Sequence, residues 1–214
     1  MRFLFALLRP YLFWIFLSVI IYLYRNQLLV WLGNLSRRRT HLRSLQDQII
    51  NQHNAKARFE LGLNQLRWGN YKKAISFLEE AKQIEADNFE IRYYLGVAYQ
   101  GIKEYDLAVS ELKTSLTLKK DNLTADILLK LGDTYYLQKN YPAAVDTYQQ
   151  VLEINPFEGE ALYKLGLTNY RLDLKEESKK YLNKAIVEIK ALPAFRYKKD
   201  RIWLYKAYLL KIML

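Results

Sequence analysis

A chain of 214 residues with no cysteine and two histidines, His41 and His53, has no route to a disulfide, a thiolate nucleophile or a Cys-based zinc site. Its formal charge of +11 sits at the ends: residues 1–50 hold seven Lys/Arg against one Asp, residues 191–214 six against one, and residues 51–190 twenty of each sign. A neutral middle offers no cationic stripe to follow a phosphate backbone, so no nucleic-acid partner is expected, and a composition rich in Leu, Lys, Ala, Glu, Gln and Ile with only four prolines points to an all-α chain.

Residues 3–24 are apolar apart from Arg9 and Ser18, and as a helix these 22 residues extend about 33 Å, the thickness of a bilayer's hydrocarbon core. Fourteen of them are Leu, Ile, Phe or Val, worth roughly −4 to −8 kcal/mol on the insertion scale against at most about +3.5 for one central charge. Arg9 lies near one end, where its head can reach the headgroups, and Tyr11, Tyr22, Tyr24 and Trp31 suit an interfacial belt. The expectation is a single-pass anchor over residues 1–35, with Leu28, Trp31, Leu32 and Leu35 lying along the interface. Arg37, Arg38 and Arg39 follow, placed to meet acidic lipid headgroups, in a basic linker and connecting helix over residues 36–54 that carries Leu42, Leu45 and Ile49. Two arginines (Arg2, Arg9) precede or begin the span and five (Arg25, Arg37, Arg38, Arg39, Arg43) follow it, so the positive-inside bias puts the remainder of the chain in the cytoplasm. His41 and His53 have no carboxylate spaced to join them and read as exposed, so neither metal nor cofactor is expected.

The dipeptide Leu-Gly recurs at Leu61-Gly62, Leu95-Gly96, Leu131-Gly132 and Leu165-Gly166, at glycine spacings of 34, 36 and 34 residues. Nine residues after the first three glycines stand Tyr71, Tyr105 and Tyr141, and twelve after them Ala74, Ala108 and Ala144. Each unit reads as two amphipathic helices joined by a short polar turn, such as Arg67 to Asn70 or Gly101 to Glu104. A glycine inside a helix costs about 1 kcal/mol relative to alanine, so its recurrence predicts close approach of the second helix, with the alanines as the facing small surface and the tyrosines plugging the end of the pair.

This pattern resembles the tetratricopeptide repeat over residues 55 to about 190. The resemblance implies an α-α superhelix of four units, at 55–88, 89–122, 125–158 and 159–192. Gln65 departs from the aromatic that Tyr99 and Tyr135 supply, Lys175 and Ser178 depart in unit four, and two extra residues near Lys120 to Leu123 lengthen a loop. In the family the first helix of each unit lines a concave face. Its groove-facing positions here would be Phe59, Leu63, Leu66, Tyr93, Val97, Leu129, Asp133, Tyr136, Tyr163, Leu167 and Tyr170. A Tyr-rich apolar groove suits protein partners. The branch of the family that clamps acidic chaperone tails uses cations where this chain has Phe59, Leu63 and Asp126, so that sub-function is disfavoured.

After Pro193 a basic stretch (Arg196, Lys198, Lys199, Arg201) leads into an apolar one from Ile202 to Leu214, interrupted by Lys206 and Lys211. Residues 193–214 are expected to form a helix that caps unit four, as the ends of a solenoid require, with a membrane or partner contact as the alternative. No phosphate loop, His–carboxylate constellation or nucleophile elbow is present, so the chain reads as a non-enzymatic, membrane-anchored scaffold that binds partner proteins in its groove. An envelope-protein assembly or quality-control factor, holding clients on the far side of the membrane, and an enzyme regulator remain as alternatives.

Overall fold

The structure is a computed structural model and describes residues 40–42, 44, 54–119 and 124–214. The expected span at 3–24, the interfacial segment, Arg37, Arg38 and Arg39, and the long loop at 120–123 lie outside the described residues. Among the described residues, no helix is long and apolar enough to cross a membrane.

From Ala55 onward the described residues form nine α-helices and no strand: α1 Ala55–Arg67, α2 Tyr71–Ile84, α3 Phe89–Gly101, α4 Tyr105–Leu118, α5 Thr124–Leu137, α6 Tyr141–Ile154, α7 Gly159–Arg171, α8 Lys175–Ala191 and α9 Ala194–Met213. Local chemistry starts and stops them. The Asn54 side chain accepts the Ala57 N–H at 2.9 Å and the Asn88 side chain accepts those of Glu90 and Ile91, relieving orphan donors at two helix starts. Each first helix ends through a residue at positive φ: Gly69 (74°), Lys103 (67°), Lys139 (64°) and Asp173 (61°). The next amide then reaches back five residues, Asn70 to Gln65 and Leu174 to Asn169, both at 2.9 Å. This left-handed closure satisfies the last carbonyls and reverses the chain into the second helix within three residues.

Within each pair the helices meet at the expected glycine. A Cβ on Gly62, Gly96, Gly132 or Gly166 would lie 2.7, 2.6, 2.5 and 2.8 Å from Leu78, Leu112, Tyr148 and Leu182 respectively. No side chain fits in that gap, so the cost of a helical glycine is offset by closer packing of the pair. Opposite lie Ala74, Ala108 and Ala144, all fully buried. In unit four the departure from alanine is accommodated: Ser178 is equally buried, and its hydroxyl donates to the Gly166 carbonyl at 2.8 Å. One tyrosine does something different from the sequence expectation. Tyr71 reaches beyond its own pair; its ring occupies the space where a Cβ on Gly101 of the following unit would lie.

The pairs stack in series, α2 on α3, α4 on α5, α6 on α7 and α8 on α9. The loop enlarged by two residues leaves α4 on α5, as α2 is on α3. Successive first helices also touch, α1 with α3 and α3 with α5, more closely than successive second helices do. The stack therefore curves with the first helices on its inner side. The terminal helix α9 takes the place of one more first helix, burying Leu204, Ala207 and Leu210 against Leu162, Leu182, Ala185, Ile186 and Ile189 of α7 and α8. Arg196 fastens its start, bonded to Glu158 at 3.1 Å and to Asp200 at 3.6 Å.

Candidate protein-binding groove

Counted from the glycine of each first helix, the candidate groove residues occupy three registers: three before it (Phe59, Tyr93, Leu129, Tyr163), one after it (Leu63, Val97, Asp133, Leu167) and four after it (Leu66, Tyr136, Tyr170). Offsets of three and four residues keep them on one helical face. All eleven are partly buried, none wholly inside and none standing free. Their surroundings nevertheless divide the groove in two.

In units one and two the face is aromatic and apolar. Phe59 and Leu66 pack at the edge of the buried cluster of Ala74, Leu78, Ala81, Ile91, Leu95 and Ala98, and Leu63 and Val97 are partly buried. The Phe59 ring lies 5.6 Å from that of Tyr94, and Tyr94 lies 5.0 Å from Tyr93 in an edge-on arrangement. The resulting row crosses from unit one to unit two at the separations favoured by aromatic pairs. Beside it opens a cleft of about 250 Å³ between α3 and α5, lined by Phe89, Glu90, Tyr93, Tyr94, Lys119, Asp126 and Ile127. Burial pushes the Tyr93 hydroxyl up to about 12, with Tyr94 and the carboxylates of Asp126, Asp133 and Glu160 adding to the effect. The phenol is therefore neutral and available as a donor at physiological pH. At the cleft wall the Lys119 ammonium sits 4.2 Å from the centroid of the Phe89 ring, and its Nζ is buried without a hydrogen-bond partner. Such a cleft can take an apolar or aromatic side chain, with polar groups at its rim to orient the backbone that carries it.

In units three and four the same face is closed on itself. Asp133, one of the eleven candidates, accepts a hydrogen bond from the Tyr148 hydroxyl at 2.7 Å and pairs with Lys164 of the next unit at 2.7 Å. Burial, then the charge of Asp133, holds the Tyr148 hydroxyl far above its ordinary value, so it acts only as a neutral donor. Lys164, whose side chain is 11% exposed, also pairs with Glu160 and lies 5.4 Å from the Trp203 ring. The Tyr136 ring meets that of Tyr141 in a tilted contact at 5.5 Å and its hydroxyl accepts from Arg171 at 3.1 Å. Tyr163, Leu167 and Tyr170 pack against the cluster shared by α7, α8 and α9, and the Tyr163 ring meets Trp203 of α9 at 5.6 Å. Here the candidate residues are largely engaged by their own chain.

Register reasoning missed Tyr94, two residues before the glycine of unit two. Its counterparts are Glu60, Lys130 and Lys164, and a position charged in three units but aromatic in the fourth was the available signal. Phe89 and Lys119 were missed because helix ends and loops fall outside the register. Nothing in their spacing brings them to the cleft.

A curved stack of helix pairs with a first-helix groove defines an α-helical repeat solenoid. Tetratricopeptide repeat models match residues 55–88, 87–156 and 129–194, and the chain belongs to that family. Among named relatives, BBSome complex member BBS4 of Mus musculus is 32% identical over 99 residues, 46% of this chain but 18% of that protein. The chloroplastic PYG7 tetratricopeptide repeat protein of Arabidopsis thaliana is 29% identical over 119 residues, 53% of this chain and 39% of its own. The matched region thus spans well under half of either relative. Among solved structures, MamA from Desulfovibrio magneticus RS-1 superposes with a TM-score of 0.68 at 19% identity, covering 75% of this chain and 94% of that one. YrrB, described as a TPR protein with an unusual peptide-binding site, superposes at 0.56 with 17% identity, covering 76% and 89%. These likenesses show the fold.

Proposed function

We propose that this protein is a membrane-anchored scaffold that holds partner proteins on the first-helix face of units one and two and in the cleft between α3 and α5, anchored by residues 3–24 with its repeats in the cytoplasm. The observation that carries the reading is the Phe59, Tyr94 and Tyr93 row beside an open cleft of about 250 Å³. An aromatic surface that served only solubility would instead carry Lys, Glu or Gln, as the outer helix faces do. The peptide-binding site ascribed to YrrB and the complex membership in the name of BBS4 support a binding role over a catalytic one. The ligand expected is an amphipathic helix or an extended apolar segment that places one large side chain in the cleft.

The test is a photo-crosslinking residue placed at Val97 in the full chain, with a second at exposed Lys72 on α2 as reference. Discrete protein adducts at Val97 and none at Lys72 are expected. Tyr93→Ala with Tyr94→Ala should weaken the captured complex by roughly 1–4 kcal/mol while helicity is retained. Adducts that persist unchanged in that double variant would remove the groove from the function. The anchor is tested separately by washing membranes with high salt and carbonate, because an inserted apolar span of 22 residues, interrupted only by Arg9 and Ser18, resists both. Protease added outside intact cells distinguishes the sides: protected repeats are expected, and digestion would favour the reading as a factor that holds envelope clients.

A further inference from the structure

Among the described residues, large exposed apolar side chains are scattered along the solenoid, Trp68, Leu107, Leu137 and Leu174 each standing on a different helix or turn. The exception is α9, where six fall within the twelve residues from Ile202 to Met213. Its outward face, opposite the buried Leu204, Ala207 and Leu210, carries Ile202 (52% exposed), Tyr205, Leu209 (64%) and Ile212 (82%) at offsets of three and four residues. Tyr208 and Met213 border this stripe, both exposed. The apolar surface is on the order of several hundred Å², a size that monomeric proteins seldom leave bare.

The charges around the stripe select what covers it. Lys198 and Arg201 stand exposed on the same outward side, one turn before the apolar residues, and Lys211 is exposed near the end of the helix. Lys190 of α8 approaches the Tyr208 ring to 5.4 Å. The helix's one acid, Asp200, is turned inward, 7% exposed and paired with Arg196. The outward face is therefore cationic and apolar with no acid of its own. A second copy would have to bring the same cationic face against itself. An anionic lipid surface meets both halves of the chemistry: phosphates and carboxylates for Lys198 and Arg201, and the boundary of the acyl region for Ile202, Leu209 and Ile212, with tyrosines at the depth between.

We infer that the outward face of α9 is a membrane-surface contact that lies on anionic lipid. It is separate from the groove, because the stripe lies opposite the side of α9 packed on α7 and α8. The contact would hold the carboxy-terminal end of the solenoid against a bilayer.

The chain has no cysteine, so a single Leu209→Cys substitution takes an environment-sensitive fluorophore at one site of the full-length protein. Lys72→Cys, on exposed α2 surface, serves as reference. Each is reconstituted into vesicles of phosphatidylcholine alone and of phosphatidylcholine with phosphatidylserine. The probe at 209 is expected to shift to the blue and to escape an aqueous quencher only in the phosphatidylserine vesicles, with the probe at 72 water-exposed in both. Lys198→Glu with Arg201→Glu, both at exposed positions, should lower the buried-to-exposed ratio of the probe at 209 about tenfold or more while helicity is kept. Equal quenching at 209 in the two kinds of vesicle would overturn the inference. So would a blue shift that appears without lipid and disappears on dilution, because a second copy would then be the occupant.

Discussion

Along the inner face, the register that places Leu63 and Val97 in units one and two places Asp133 in unit three, and the register of Tyr94 places Lys164 in unit four. The first pair leaves aromatic and aliphatic surface beside a cleft; the second spends its side chains on one another, through Tyr148, Glu160 and the Trp203 ring of α9. One backbone pattern thus supports two chemistries. Repeat geometry decides where a side chain points, and the neighbouring unit decides whether it is still available to a partner. The two halves share a seam and differ at the face, and substitutions can test each part of that statement.

The largest effects belong to the shared seam. Leu112→Ala in unit two and Leu182→Ala in unit four both remove wholly buried side chains that face a helix glycine, and each should cost about 2–5 kcal/mol in urea denaturation. A much smaller loss at Leu182 would mean that α9 and the polar network, and not the seam, hold the second half together. Gly132→Ala comes next. Its Cβ would fall 2.5 Å from the Tyr148 ring, and a rigid ring yields less readily than a leucine tip, so a loss of about 1–3 kcal/mol is expected by the same measurement.

The face itself should divide the halves. Asp133→Ala deprives the Tyr148 hydroxyl of its acceptor and Lys164 of one of two carboxylates, and should cost about 1–3 kcal/mol. Val97→Ala, at the same register, touches no polar network and should cost about 1 kcal/mol or less. A double-mutant cycle of Asp133→Ala with Tyr148→Phe should show coupling above about 0.5 kcal/mol. Additive losses would show that the network contributes little beyond its separate parts. The smallest effects lie in the turns. Lys103→Gly and Lys139→Gly relieve a left-handed residue in each half, and each should raise stability by about 0.5–1 kcal/mol, read from the denaturation midpoint.

The paired helices, the closeness at each glycine and the all-α class were legible because each is a consequence of spacing within one unit. Gly62 against Leu78 is a contact sixteen residues apart in every repeat, so recurrence exposes it. The reach of Tyr71 to Gly101 was not legible, because it crosses into the next unit and tyrosine supplies no direction by itself. The eleven candidate groove residues came from the family resemblance and share three registers, and all are partly buried. Register could not tell that Asp133 is already bonded or that Tyr163 lies against Trp203.

The sequence by itself determined that residues 55–190 form helix pairs of a tetratricopeptide kind, because steric limits at glycine and the apolar period act locally and repeat. Tertiary structure alone decided which part of the inner face stays open. That depends on side chains more than thirty residues apart, Asp133 with Lys164 and Tyr163 with Trp203, whose ion pair and ring contact exist only once the units have stacked. It also brought Phe89, Lys119 and Tyr94 to one cleft, since a helix start, a loop and a helix face share no period along the chain.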